Sequence, residues 1–179
     1  MQNRRFCDKL SVVIEMAIKK LTLDRTLSAA AVALWMGVIF LFSAQTGNDS
    51  GSTSGGIVRW LVNLFHPHFS QMPEGQQMGI LALWHTLIRK GAHFSEYAIL
   101  GALLCNALRT CNLSRPLRWL IPIAGSAIYA MSDEVHQYFV PDRVCSIVDV
   151  GIDTAGAIFG TVLFSFIAFL IRKHIKPAQ

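Results

Sequence analysis

Charge is scarce in this sequence. Only 15% of its 179 residues are Asp, Glu, Lys or Arg, against 53% hydrophobic, a balance too apolar for an ordinary soluble domain of this length. Cysteine is scarce as well. Cys7, Cys105, Cys111 and Cys145 are the whole complement, and their scatter excludes the disulfide framework that staples small secreted domains. There is no glycine-rich phosphate loop, no dinucleotide fingerprint and no Ser/His/Asp order of a recognisable hydrolase. Internal repeats are missing too, and the length leaves room for one domain. A cleavable signal is not legible at the N-terminus, because the first apolar stretch follows a long charged preface, so the first span is expected to stay as an anchor. The net charge of +5 does not come from one basic stripe. Lys and Arg sit where they would flank membrane spans, which argues against nucleic acid as a partner.

What the sequence does hold is a series of apolar runs closed by charge or turn residues. Leu27 to Ser43 is the first, with Ala30 to Phe42 free of charge, and at a rise of about 1.5 Å per residue it nearly crosses a bilayer. Ala92 to Leu108 and Leu117 to Tyr138 are the second and third, each polar at one end. Ile147 to Ile171 is the fourth, uncharged from Ala155 onward. The expected architecture is an all-α integral membrane bundle of about four transmembrane helices. Ile57–Phe65 and Gln77–Leu87 are apolar but too short to span, and read as short interfacial or re-entrant helices. Residues 44–56 read as a turn-rich polar loop. Residues 1–26 carry Arg4, Arg5, Lys9, Lys19, Lys20 and Arg25 around Val12, Val13, Ile14 and Ile18. This basic segment is either a helix lying on an anionic membrane surface or a solvated preface.

Basic residues set the expected orientation. They concentrate in the preface, at Arg109, Arg115 and Arg118 between spans two and three, and at Arg172, Lys173 and Lys176 in the tail, so the positive-inside rule places both termini in the cytoplasm of a multi-pass inner-membrane protein. Cys7, Cys105 and Cys111 then fall inside and Cys145 outside. The same orientation gathers Ser43, His93, Asp133 and Asp149 at the outer side. Span two enters with Lys90, His93, Glu96 and Tyr97, span three leaves through Asp133, Glu134, His136 and Gln137, and span four enters with Asp149 and Asp153. Helical spacing puts His93 with Glu96 and Tyr97, Asp133 with Gln137, and Asp149 with Asp153 on shared faces. His93, Glu96, Asp133, Gln137, Asp149 and Asp153 are expected to line one outward-opening cavity.

Five carboxylates near the membrane boundary outnumber the fixed positive charges beside them. Each costs up to about 2.5–3.5 kcal/mol at a helix centre on insertion scales and less near the interface, so some are protonated or a cation is present. His93 and Glu96, with Asp133 and Asp149 from neighbouring helices, fit either a divalent cation or acid/base chemistry. The bland alternative is interhelical glue. Arg143, after Pro141, has the planar fork suited to phosphate or carboxylate, or else pairs with Asp142 or Glu134. His136 reads equally as an interfacial histidine. Gly156 and Gly160 form a small-xxx-small pair that permits close helix approach. Trp35, Trp60, Trp84 and Trp119 fit interface belts or core packing.

Several blocks together resemble a known family. Phe42-Ser43-Ala44-Gln45 with Ser50, Lys90-x-x-His93-Phe94-x-Glu96-Tyr97-x-x-x-Gly101, Asp133-Glu134-x-His136-Gln137-x-Phe139-x-Pro141-x-Arg143, and Ser146, Asp149 and Gly156 are similar to the VanZ-like family over roughly residues 40–160. The resemblance implies a transmembrane domain, here 27–176, in a bacterial plasma membrane, and a link to resistance against the lipoglycopeptide teicoplanin. The candidate catalytic groups are His93, Glu96, Asp133, Glu134 and Asp149. Ligand contacts would come from Ser43, Gln45, Lys90, Tyr97, His136, Gln137, Arg143, Ser146 and Asp153. Two positions depart from the family pattern: Asp153 stands where Asn is common, and Asp142 where Gly is common. Three readings follow. One is a membrane enzyme or lipid-handling protein acting at the outer leaflet on an amphiphile or cell-envelope precursor. The second is a non-catalytic binding or resistance factor. A cation-coupled transporter ranks third, since its polar path should reach the inner side.

Overall fold

The computed structural model describes residues 2–175, with side chains described over 23–46 and 54–171 and at 173. Among the described residues there are five α-helices and no strand: α1 (Gln2–Ser43), α2 (Gly47–Phe65), α3 (Glu74–Leu108), α4 (Leu117–Gln137) and α5 (Ile147–Ile175), with one 3-10 turn at Phe69–Gln71. The helix starts follow local chemistry. Pro73 precedes α3 and Glu74 stands in its first turn, where a negative charge favours the helix dipole. At α5, the Ser146 hydroxyl accepts from the Asp149 N–H at 3.4 Å, an N-cap.

Two of these helices are long and apolar enough to cross a membrane, over Leu23–Ser43 and Ile147–Ile171. In a soluble core such helices would be covered. Here Leu34, Leu41, Phe159, Phe166 and Phe169 all face outward, Leu34 with 73% of its surface exposed, as in helices solvated by lipid. The later part of α3 and α4 fall short of that test because Glu96, Arg118, Asp133 and Glu134 dilute their apolar content.

Contacts fix the directions. Trp35 donates its indole N–H to the Glu96 carbonyl at 2.9 Å and Asn106 reaches Ser28 at 3.3 Å, so α1 and α3 run oppositely. Tyr129 donates to the Met36 carbonyl at 2.7 Å and Ser43 meets Asp133, so α1 and α4 run the same way. The most extensive pairing is α3 with α5, which run parallel, as Lys90–Asp149, His93–Asp153 and Cys105–Ser165 advance together. Glycine makes this pair close. A Cβ at Gly156 would collide with the Phe94 carbonyl, one at Gly160 with the Ala98 carbonyl, and one at Gly101 with the Ala157 carbonyl, so the two backbones touch directly.

Three sequence expectations change. Residues 47–56 are not a loop but the first turns of α2, which Val58 and Val62 anchor by burial. Ile57–Phe65 is thereby the second half of α2 rather than a separate short piece. Gln77–Leu87 and Ala92–Leu108 are likewise one helix: α3 has 35 residues, about 52 Å at 1.5 Å per residue, far longer than a hydrocarbon core. Its first half pairs with α2, through the Phe65–Trp84 ring stack at 5.4 Å and Ser54–His85 at 3.2 Å. The basic preface is helical and continuous with the first span through residue 26. Its side chains up to residue 22, Cys7 among them, lie outside the described residues, as do those of Ser50 and Arg172 and the whole of Lys176.

Candidate functional site

The end of the bundle where α1 stops, α4 stops and α5 starts carries the polar cluster. Asp133 on α4 and Ser43 on α1 are buried against each other, the Ser43 hydroxyl donating to Asp133 Oδ2 at 2.8 Å. Gln137, one turn on from Asp133, donates to the same oxygen at 3.1 Å and lies 3.4 Å from Ser43 Oγ. Asp133 Oδ1 has no partner among the described residues. The i,i+4 spacing thus yields one oxygen held by two donors and a second left free.

Helix α5 brings Asp149 and Asp153 to α3 at successive depths. Asp149, at the first turn, forms an ion pair with Lys90. Asp153, one turn deeper, is wholly buried, with neither oxygen hydrogen-bonded among the described residues, and its Oδ1 is 3.8 Å from His93 Nδ1, itself buried without a hydrogen bond. Donor atoms of His93, Asp133 and Asp153 all lie within 4.8 Å of one another. Glu134 turns aside, accepting the Ser146 N–H at 2.7 Å through Oε2 and leaving Oε1 unpartnered.

Two cavities adjoin this cluster. One, about 230 Å³, is mostly polar and is lined by Lys90, His93, Gln137, Asp142, Arg143, Ser146 and Asp149 with Arg89 and Val144. The other, about 240 Å³, is mostly apolar, with Phe42, Ile57, Ile88 and Ala92 beside Gln45, Ser54 and Glu96. Arg89, His93 and Arg143 line both. Arg143 is fixed by donating its Nε–H to the Gln45 carbonyl at 3.1 Å. Burial, and after it the nearby Arg89, draw its pKa below the ordinary arginine value, yet an arginine so placed stays charged. The turn before it is left-handed at Asp142, φ 60°, a conformation that Asp tolerates and Gly prefers.

The single cavity expected from the sequence is therefore two, with Asp133 and Asp153 beneath them rather than on their walls. His93, Gln137 and Asp149 do share the polar one, while Glu96 faces the apolar one. His136 stands apart, stacked on Phe40 at 4.4 Å with its Nε2 unpartnered among the described residues. Tyr97 is a core side chain, 6.2 Å from the Tyr129 ring, with its hydroxyl unpartnered among the described residues. Gln45 contributes its backbone carbonyl to Arg143 and lines the apolar cavity. Arg89 is not among the site residues expected from the sequence, where it reads only as a flanking charge. Its spacing before His93 and Glu96, i, i+4 and i+7, is the signal that places it on their face. Deeper along α4 and α5, Ser126 and Thr161 are buried with hydroxyls that find no partner among the described residues, polar but uncharged.

Chemically, the arrangement offers two fixed cations at the junction of a polar and an apolar cavity, above a buried imidazole and two buried carboxylates. The family model described as VanZ/LLP1 matches residues 28–169 of the chain. No curated protein and no solved structure matches it.

Proposed function

The chain belongs to the VanZ/LLP1 family, and on that footing we propose that it is a membrane protein whose polar end binds an amphiphile, taking an anionic headgroup at Arg143 and Arg89. In this reading α1, the second half of α3, α4 and α5 make four spans of alternating direction, with both termini in the cytoplasm and the polar end outside. The observation that carries it is the pair of adjoining cavities that share Arg89, His93 and Arg143. A molecule with a charged head and an acyl tail matches that pairing part for part. The planar guanidinium fork suits phosphate or carboxylate oxygens. The apolar cavity accepts the first part of a tail, since an apolar wall with a few fixed polar groups is the usual build of a ligand site.

A cell-envelope lipid precursor has this chemistry, and so does a lipoglycopeptide, which keeps the link to teicoplanin within the same reading. His93 and Asp149 border the bound head and supply proton donors and acceptors to it, while Glu96 stands on the wall of the cavity that takes the tail. The test is mass spectrometry of amphiphiles that co-purify with the full chain extracted into nanodiscs of native lipid. Arg143→Gln is expected to deplete an anionic species that the unaltered chain retains, and Glu96→Gln to leave it bound. An unchanged lipid profile in Arg143→Gln would reject headgroup binding at this place.

A further inference from the structure

Asp153 presents a problem that the headgroup reading does not solve. It is wholly buried, and neither carboxylate oxygen has a hydrogen-bond partner among the described residues. Protonation answers at most half of this: the new O–H would face His93 Nδ1 at 3.8 Å, beyond hydrogen-bond range as it stands, and the other oxygen still finds no donor among the described residues. Buried polar groups without partners are rare in native proteins and each calls for a cause. The unpartnered atoms here are not scattered. Asp133 Oδ1 and His93 Nδ1 are also buried and unpartnered, and donor atoms of all three residues lie within 4.8 Å of one another.

We infer that His93, Asp133 and Asp153 form a divalent-cation site. Ligand bonds of about 2.0–2.2 Å at the tetrahedral angle set neighbouring donors about 3.4 Å apart, so the His93–Asp153 pair at 3.8 Å is near ligating distance and the trio, within 4.8 Å, needs to close by at most about 1.4 Å. Two carboxylates and a neutral imidazole leave a divalent ion electrically balanced, which matters in a medium that penalises net charge. One nitrogen with two carboxylate oxygens suits a first-row ion such as Mn²⁺ or Zn²⁺. Asp133 is already oriented as a ligand would be, since Ser43 and Gln137 hold its Oδ2, as outer-shell donors commonly hold a ligating carboxylate, and Oδ1 is left free. His93 also lines both cavities, so the ion would be reached from them and three protein ligands would leave it a position open to an incoming oxygen. The ligand set differs from the one the sequence suggested. Asp149 is taken by Lys90 nearer the mouth, and Glu96 faces the apolar cavity.

The test uses the full chain in nanodiscs. Metal content after chelator-free purification is measured first, followed by titration of the stripped protein with Mn²⁺ and with Zn²⁺. One ion per chain is expected. Asp153→Asn and His93→Gln should each weaken binding by about tenfold or more, the scale on which even outer-shell changes act, while His85→Gln, between α2 and α3, should not. If Asp153→Asn does not fold, His93→Gln decides alone. Failure of the stripped protein to take up either ion at one per chain overturns the site, as does wild-type affinity in the variants that fold; a pocket filled by protons and water would give that result. Metal uptake without any retained amphiphile would overturn the headgroup reading alone, and a retained amphiphile without metal would overturn this inference alone.

Discussion

Replacing Gly160 by alanine should loosen the bundle where α3 and α5 touch. The added Cβ would fall on the Ala98 carbonyl oxygen, whereas a comfortable carbon–oxygen contact needs about 3.3–3.6 Å, so the two backbones must part by roughly 1 Å or more. Overpacking of this kind costs about 1–3 kcal/mol. Glycine-to-alanine replacement in a helix also returns about 0.8–1.0 kcal/mol of helix propensity, and a control removes that contribution. Gly151 lies in the same helix with open space where its Cβ would stand, so Gly151→Ala gains the propensity without the collision. The difference between the two variants is then the packing cost, expected at about 1–3 kcal/mol in favour of Gly151→Ala. Unfolding by denaturing detergent in mixed micelles, followed by far-ultraviolet circular dichroism, measures it. Coincident unfolding curves would show that the close approach of α3 and α5 is not needed, and with it would go the reason His93 sits 3.8 Å from Asp153.

Asp142→Gly should be neutral or stabilising by up to about 1 kcal/mol, because it relieves a left-handed residue, whereas Asp142→Val should destabilise; thermal unfolding ranks the three chains. Ser43→Ala removes one of the two donors to Asp133 and should cost about 0.5–1.5 kcal/mol, the range of hydrogen bonds between helices in membranes, read from the same detergent titration. A membrane-impermeant maleimide added to sealed cells should label Cys145 and spare Cys7 and Cys111, and the reverse pattern would invert the assigned orientation. Glu96→Gln and Asp133→Asn keep shape and most hydrogen bonds, and should abolish a resistance phenotype at unchanged membrane abundance. Full resistance in both would leave the cluster as interhelical glue.

Much of the site was legible because the basic flanks order the spans, and that order alone sends Ser43, His93, Asp133 and Asp149 to one end. The structure places them there together. Partners were not legible: Asp149 and Asp153 share a face by spacing, but only the parallel packing of α3 on α5 shows that the first meets Lys90 and the second meets His93. Helix limits failed where propensity is weak. The Gly- and Ser-rich stretch after Gly47 reads as a loop, yet packing of Val58 and Val62 on α3 favours helix, since tertiary contacts override propensity. Gln77–Leu87 and Ala92–Leu108 read as separate pieces, but none of the residues between them is a proline that would remove a backbone hydrogen bond, and α3 runs through them. Of the four spans read from the sequence, α1 and α5 are long and apolar enough to cross a membrane, while α4, read as the third, carries Arg118, Asp133 and Glu134, which lower its apolar content.

The apolar cavity bounded by Phe42, Ile57, Ile88 and Ala92 bears on how strongly a ligand must be held. A molecule whose tail already resides in the leaflet does not arrive from dilute solution. It explores a thin sheet, and confinement of this sort presents it at an effective concentration on the millimolar scale. At that concentration a dissociation constant of similar size fills half the sites, so selection has no reason to build tight affinity and every reason to permit quick exchange. Occupancy would then follow the composition of the leaflet rather than the amount of ligand in the medium. Detergent, by diluting the sheet, would empty a site that is full in the cell.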